Sequence, residues 1–133
     1  MINSEFLNLK REALLRAWRL LCSERYDACQ RALEAMEPEA KDCEDYHATW
    51  LATLIQQSQW SETVAYAEPL VERHGGYCRS FYSALATGLK AQGNRSEAIA
   101  RVREARAHWP GDPLFAEFER ILKLEEDEKG RAQ

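Results

Sequence analysis

The stretch from Arg79 to Pro113 most restricts what this chain can fold into. Tyr82, Leu85 and Leu89 recur at helical spacing, with small Ala86 beside them. Gly93-Asn94 interrupts that pattern. Ala98, Ile99, Val102 and Ala105 then form a second stripe, and Pro110-Gly111-Asp112-Pro113 closes the unit. Two apolar stripes of helical period, divided by a short breaker, predict a helix, a tight turn and an antiparallel helix.

Weaker copies of this unit precede it. Tyr26, Trp60 and Arg95 hold the same turn position, at intervals of 34 and 35 residues, and His74 and His108 are 34 apart. The spacing predicts a first helix over 3–22, capped by Asn3 or Ser4. Its apolar band (Phe6, Leu9, Ala13, Leu14, Ala17, Trp18, Leu20, Leu21) is wider than one face. A second helix over 26–37 carries Cys29, Ala32, Leu33 and Met36, and Pro38 ends it. After a polar connector, a third helix over 44–57 carries Trp50, Leu51, Leu54 and Ile55. Ser61 can cap a fourth, with Val64, Ala67, Leu70 and Val71, that stops at Gly75-Gly76. Pro69 lies inside this fourth helix and predicts a kink or a local irregularity near Ala65–Pro69. Asp112 as cap and Pro113 at the first helical position start a seventh helix over 113–126. Its apolar set is Leu114, Phe115, Phe118, Ile121, Leu122 and Leu124. Residues 127–133 read as a frayed acidic tail.

The spacing resembles the tetratricopeptide repeat (TPR), whose pattern is W-x2-L-G-x2-Y, then A-x3-F, then P. Here it reads Tyr82-x2-Leu85-Ala86-x2-Leu89, then Ala98-x3-Val102-x2-Ala105, then Pro110. The turn Gly93-Asn94-Arg95-Ser96-Glu97-Ala98-Ile99 is similar to the family's interhelical turn. The likeness covers about residues 10–124 and is strongest in 79–113. The earlier copies place Cys29 and Thr63 where Ala98 stands. It implies an all-α fold: about three TPR-like antiparallel helical hairpins (3–37, 44–74, 79–109) plus a C-terminal single helix. These would make a short right-handed solenoid, one domain over 1–124. A plain helical bundle is the alternative architecture.

The resemblance also implies a site. In this family the first helices of the hairpins line a concave face. The matching positions are Arg11, Leu14, Trp18 and Leu21; then Asp45, Ala48, Ala52 and Ile55; then Ser80, Ser83 and Thr87, with Lys90 beyond. A protein partner, as an amphipathic helix or an extended segment, is what such a floor would take. Trp18 reads first as core, because the first helix is apolar all round, and Ala48, Ala52 and Ser83 read as allowances for close helix packing. Gly88 reads either as a neutral surface glycine or as a place where a ligand approaches the backbone. These positions offer no Asn, which argues against the carboxylate-clamp TPR subtype. Size, repeat number and groove character are also similar to the TPR-like chaperones of type III secretion needle subunits.

Composition narrows the classes. The 133 residues carry a net charge of −4, with 45% hydrophobic and 30% charged residues. Nucleic acid needs a basic surface, so no nucleic-acid partner is expected. No apolar run reaches membrane-spanning length, so no membrane partner is expected. The polar MINSEFLNLKRE opening lacks signal-peptide order, and a cytoplasmic location follows as the expectation. Cys22, Cys29, Cys43 and Cys78 are too widely spaced for a zinc site and read as reduced core residues. Cys43, Asp45 and His47 are close in sequence, but Asp45 points away from the other two on a helix. No oxyanion donors and no phosphate-binding glycine loop accompany them. The expectation is therefore a binding module without catalysis, metal or cofactor. A self-associating scaffold, a homodimer through Phe6 and Phe115, is the alternative.

Overall fold

Apolar residues at helical spacing become helices along most of this chain. The structure is a computed structural model. It describes the backbone over 4–41, 43–74 and 78–131, and side chains over 9–41, 43–74 and 78–125. Among the described residues there are seven α-helices and no strands: α1 (Ser4–Cys22), α2 (Tyr26–Glu34), α3 (Glu44–Gln56), α4 (Trp60–His74), α5 (Arg79–Ala91), α6 (Arg95–His108) and α7 (Pro113–Arg131). A short 3-10 turn, Pro38–Ala40, follows α2. The fold is all-α.

Three turns share a residue at positive φ, and two of them share the conformation that follows it. Glu24, Ser58 and Gly93 each adopt positive φ, at 61°, 56° and 81°. Their N–H groups donate to the carbonyls of Leu21, Ile55 and Lys90, each at 3.0 Å. Arg25 and Asn94, which follow, have nearly equal dihedrals (φ −95°, ψ 70° and φ −88°, ψ 69°). Their N–H groups reach back to Leu20 and Leu89, both at 2.9 Å. Each turn thereby satisfies carbonyls that the end of the preceding helix leaves open. Cys29, Thr63 and Ala98 come one helical turn later, and all are fully buried (0% exposed). The Thr63 hydroxyl donates to the Gln59 carbonyl at 2.7 Å, which is how a polar side chain occupies that buried position.

The chain divides into two compact units, Met1–Ser58 and Gln59–Gln133. The hairpin expected over 44–74 is shared between them, α3 in the first and α4 in the second. In the first unit, α1, α2 and α3 pack mutually around Ala17, Leu21, Cys29, Leu33, Met36, Ala40 and Tyr46. Gln30 on α2 donates to the Thr53 hydroxyl on α3 at 3.0 Å, and the Trp50 indole donates to the Tyr46 hydroxyl at 2.9 Å.

In the second unit each helix packs on the next, from α4 through α7. Phe81, Leu85, Val102, Phe115 and Leu122 are its largest fully buried side chains. Trp109, between α6 and α7, meets Tyr82 edge-on at 5.9 Å and stacks on Phe115 at 6.0 Å. Asp112 accepts from the Leu114 N–H at 2.9 Å and pairs with Arg79 at 2.6 Å, so the cap of α7 also ties to α5. The carboxylate of Glu119 on α7 is buried and gripped by Arg103 (2.8 Å) and Arg106 of α6.

Several expectations change. α2 ends at Glu34, before the proline, because Pro38 opens the 3-10 turn instead. Pro69 lies inside α4, as the sequence places it, and the helix continues beyond it to His74. Pro69 and Ala65 are both exposed, so water can replace the hydrogen bond the ring removes. α7 runs past 126 to Arg131, since Leu, Glu and Lys favour helix and nothing before Gly130 breaks it. Phe115, expected to be exposed, is fully buried within the chain. Cys22 is exposed and only Cys29 is fully buried; Cys43 and Cys78 are half-buried. The Asn3 cap, the Phe6 side chain and the Gly75-Gly76 stop lie outside the described residues.

Candidate functional site

The wide apolar band of α1 explains why a cleft exists. Ala17 and Leu21 point into the core of the first unit, and Ala13, Leu14 and Leu20 pack against it. The adjoining side of the helix still carries Leu15 and Trp18, which remain 48% and 51% exposed. Both open into a cleft of about 460 Å³ between α1 and α3, lined by Arg11, Leu14, Leu15, Trp18, Asp45, Ala48 and Thr49. Three pairs of these, Arg11 with Asp45, Leu14 with Ala48 and Leu15 with Thr49, are 34 positions apart. The two helices thus present equivalent faces to the cleft.

The α3 wall is low because Ala48 is small and the Thr49 hydroxyl folds back to the Asp45 carbonyl at 2.7 Å. Asp45 stands in the first turn of α3, where the helix dipole favours an acid. Among the described residues no ion pair joins it to Arg11. An indole and leucine floor with one cation and one anion beside it suits recognition of a side-chain pattern. Among the described residues no three His, Cys, Asp or Glu side chains cluster as a metal site.

Five of the positions implied by the repeat pattern come together here: Arg11, Leu14, Trp18, Asp45 and Ala48. Leu21 does not, being a buried core residue. Ala52 packs against the same core, and Ile55 is half-buried near the end of α3. Ser80, Ser83 and Thr87 belong to the second unit. They are half-buried along one strip of α5, and the Thr87 hydroxyl donates to the Ser83 carbonyl at 2.8 Å.

No match to a known protein decides the assignment. Comparison of the chain with family models, curated proteins and solved structures finds none. The site therefore rests on its own geometry.

Leu15 and Thr49 were not among the anticipated residues. The signal for Leu15 was present: it is four residues from Arg11 and three from Trp18, within one apolar band. A second, smaller cleft of about 210 Å³ was also not anticipated. Leu9, Lys10 and Ala13 of α1 line it with Ala35, Met36, Glu37 and Ala40. Gly88 answers to neither earlier reading. It is buried, and a β-carbon there would lie 2.8 Å from Val64 Cγ2, so the glycine lets α4 approach α5. No described helix is long and apolar enough to cross a membrane.

Proposed function

We propose that this chain is a protein-interaction module, a small adaptor or chaperone of TPR type without catalysis or cofactor. It holds a helical or extended segment of a partner protein against α1 and α3. The observation that carries this reading is the half-exposed pair Leu15 and Trp18 in one cleft with Ala48. Large exposed aromatic and aliphatic groups beside a low wall are where binding energy concentrates. The equivalent faces of α1 and α3, and the positive-φ residue common to three turns, support the repeat reading. The finer form, a cytoplasmic chaperone of a secretion-system needle subunit, rests on likeness of size, repeat number and groove character.

The test is affinity capture with the purified chain, its Trp18→Ala variant and its Ala48→Arg variant, each checked for helix content. One partner retained by the parent and lost from both folded variants supports the reading. A partner retained by both variants overturns it.

A second reading, a self-associating scaffold, draws on Leu114 and Leu124, both exposed on α7. Light scattering separates the two. A stable dimer dissociated by Leu114→Ser and Leu124→Ser, with no captured partner, favours the scaffold.

A further inference from the structure

The two walls of the α1–α3 cleft differ in charge. On α1, Arg11, Leu15 and Arg19 form one row at intervals of four residues, and all are exposed. The segment 9–22 holds Lys10, Arg11, Arg16 and Arg19 against Glu12 alone, in a chain whose net charge is −4. The helix opposite begins with acids. α3 carries Glu44 and Asp45 in its first turn and no Lys or Arg at all. Asp45 lines the cleft from that side and Arg11 from the other, together with the apolar residues Leu14, Leu15, Trp18 and Ala48.

We infer that the occupant of this cleft is an amphipathic helix of a partner protein with oppositely charged edges. Its apolar stripe is bordered by carboxylates along one edge and by Lys or Arg along the other. The inference rests on the docking function proposed above and adds the chemistry of the client. Leucine-sized side chains of the stripe enter between Leu15, Trp18 and Ala48. The carboxylate edge lies along Arg11 and Arg19, and the basic edge meets Asp45. Reversing the helix in the cleft would set like charges against each other on both sides, so the walls select one direction as well as one partner. An anionic bilayer fits worse: its flat surface would not enter the cleft, and it would bring phosphates against Asp45.

Three synthetic helical peptides with one shared leucine stripe test this by calorimetry on the full chain. One has mixed edges, one has two acidic edges and one has two basic edges. The mixed peptide is expected to bind roughly tenfold tighter than either uniform peptide at low salt, with the advantage shrinking at high salt. Asp45→Lys should shift the preference to the acidic peptide, and Arg11→Glu with Arg19→Glu to the basic one. These residues are exposed, so circular dichroism should report unchanged folding. Equal binding of all three peptides, abolished by Ala48→Arg, would overturn the charge inference and leave the docking function standing. Binding of none would overturn both. Binding to anionic phosphatidylserine vesicles in place of the peptides, lost with Trp18→Ala, would overturn it in favour of a membrane surface.

Discussion

Gly88 of α5 and Val64 of α4 occupy space that only one of them can fill. A β-carbon at residue 88 would sit 2.8 Å from Val64 Cγ2 and 3.4 Å from Thr63 Cγ2. Valine is stiff at its first torsion and cannot swing aside cheaply. Gly88→Ala should gain about 1 kcal/mol of helix propensity and lose more than that to overpacking, for which about 1–3 kcal/mol is usual. Net destabilisation in urea denaturation is the expected outcome. The double variant with Val64→Ala should be more stable than the sum of the single changes, because the cavity of one receives the methyl of the other.

The shared turn makes a separate prediction. Glu24 and Ser58 hold the positive φ that Gly93 holds, but each carries a β-carbon that the left-handed region penalises. Glu24→Gly and Ser58→Gly should each stabilise the chain by about 0.5–1 kcal/mol, after the flexibility glycine adds to the unfolded state. Gly93→Ala should do the reverse. Thermal midpoints of the three variants check the pattern. A loss on both glycine substitutions would mean that these turns are not strained.

Much of this architecture is legible in the residues. The interval between Tyr26, Trp60 and Arg95 locates the turns, and Asp112-Pro113 locates the start of α7. The conformation inside the turns is not legible at Glu24 and Ser58, since neither is a residue that announces positive φ. Helical rotation explains the other misses. Phe115 and Leu114 are neighbours in sequence but about 100° apart around α7, so one is buried and the other exposed. The cleft was half legible. The TPR resemblance implies Arg11, Leu14, Trp18, Asp45 and Ala48. It also points to Leu21 and Ala52, whose fate depends on how α1 and α3 rotate against α2.

That distinction is measurable. Ala48→Arg places a long cation over an open cleft and should leave the thermal midpoint nearly unchanged. Ala52→Arg pushes the same side chain against the core of the first unit and should cost about 1–3 kcal/mol. Equal stability of the two variants would contradict the packing described for Ala52.

Glu119 should give the second unit an acid-dependent stability. The hydrogen bond from Arg103 lowers its carboxyl below the ordinary value; burial opposes this, and Arg106 and Lys123 add to the lowering. A carboxyl depressed in the folded state stabilises fully above its unfolded value of about 4.3. That contribution fades as pH falls through the lower folded value. Glu119→Gln should therefore lower stability at neutral pH and flatten its fall on the acid side. Denaturation curves between neutral and strongly acidic pH read both effects, and an unchanged acid slope would count against the clamp.

Trp18 also makes the cleft visible in solution. Its indole faces water, whereas the indole of Trp50 is tied to Tyr46 and that of Trp109 is stacked on Phe115. Anything that enters the cleft removes water from Trp18 and leaves those two indoles as they are. A blue shift in emission that Trp18→Phe removes would follow occupancy directly, so the unlabelled chain reports on its own ligand.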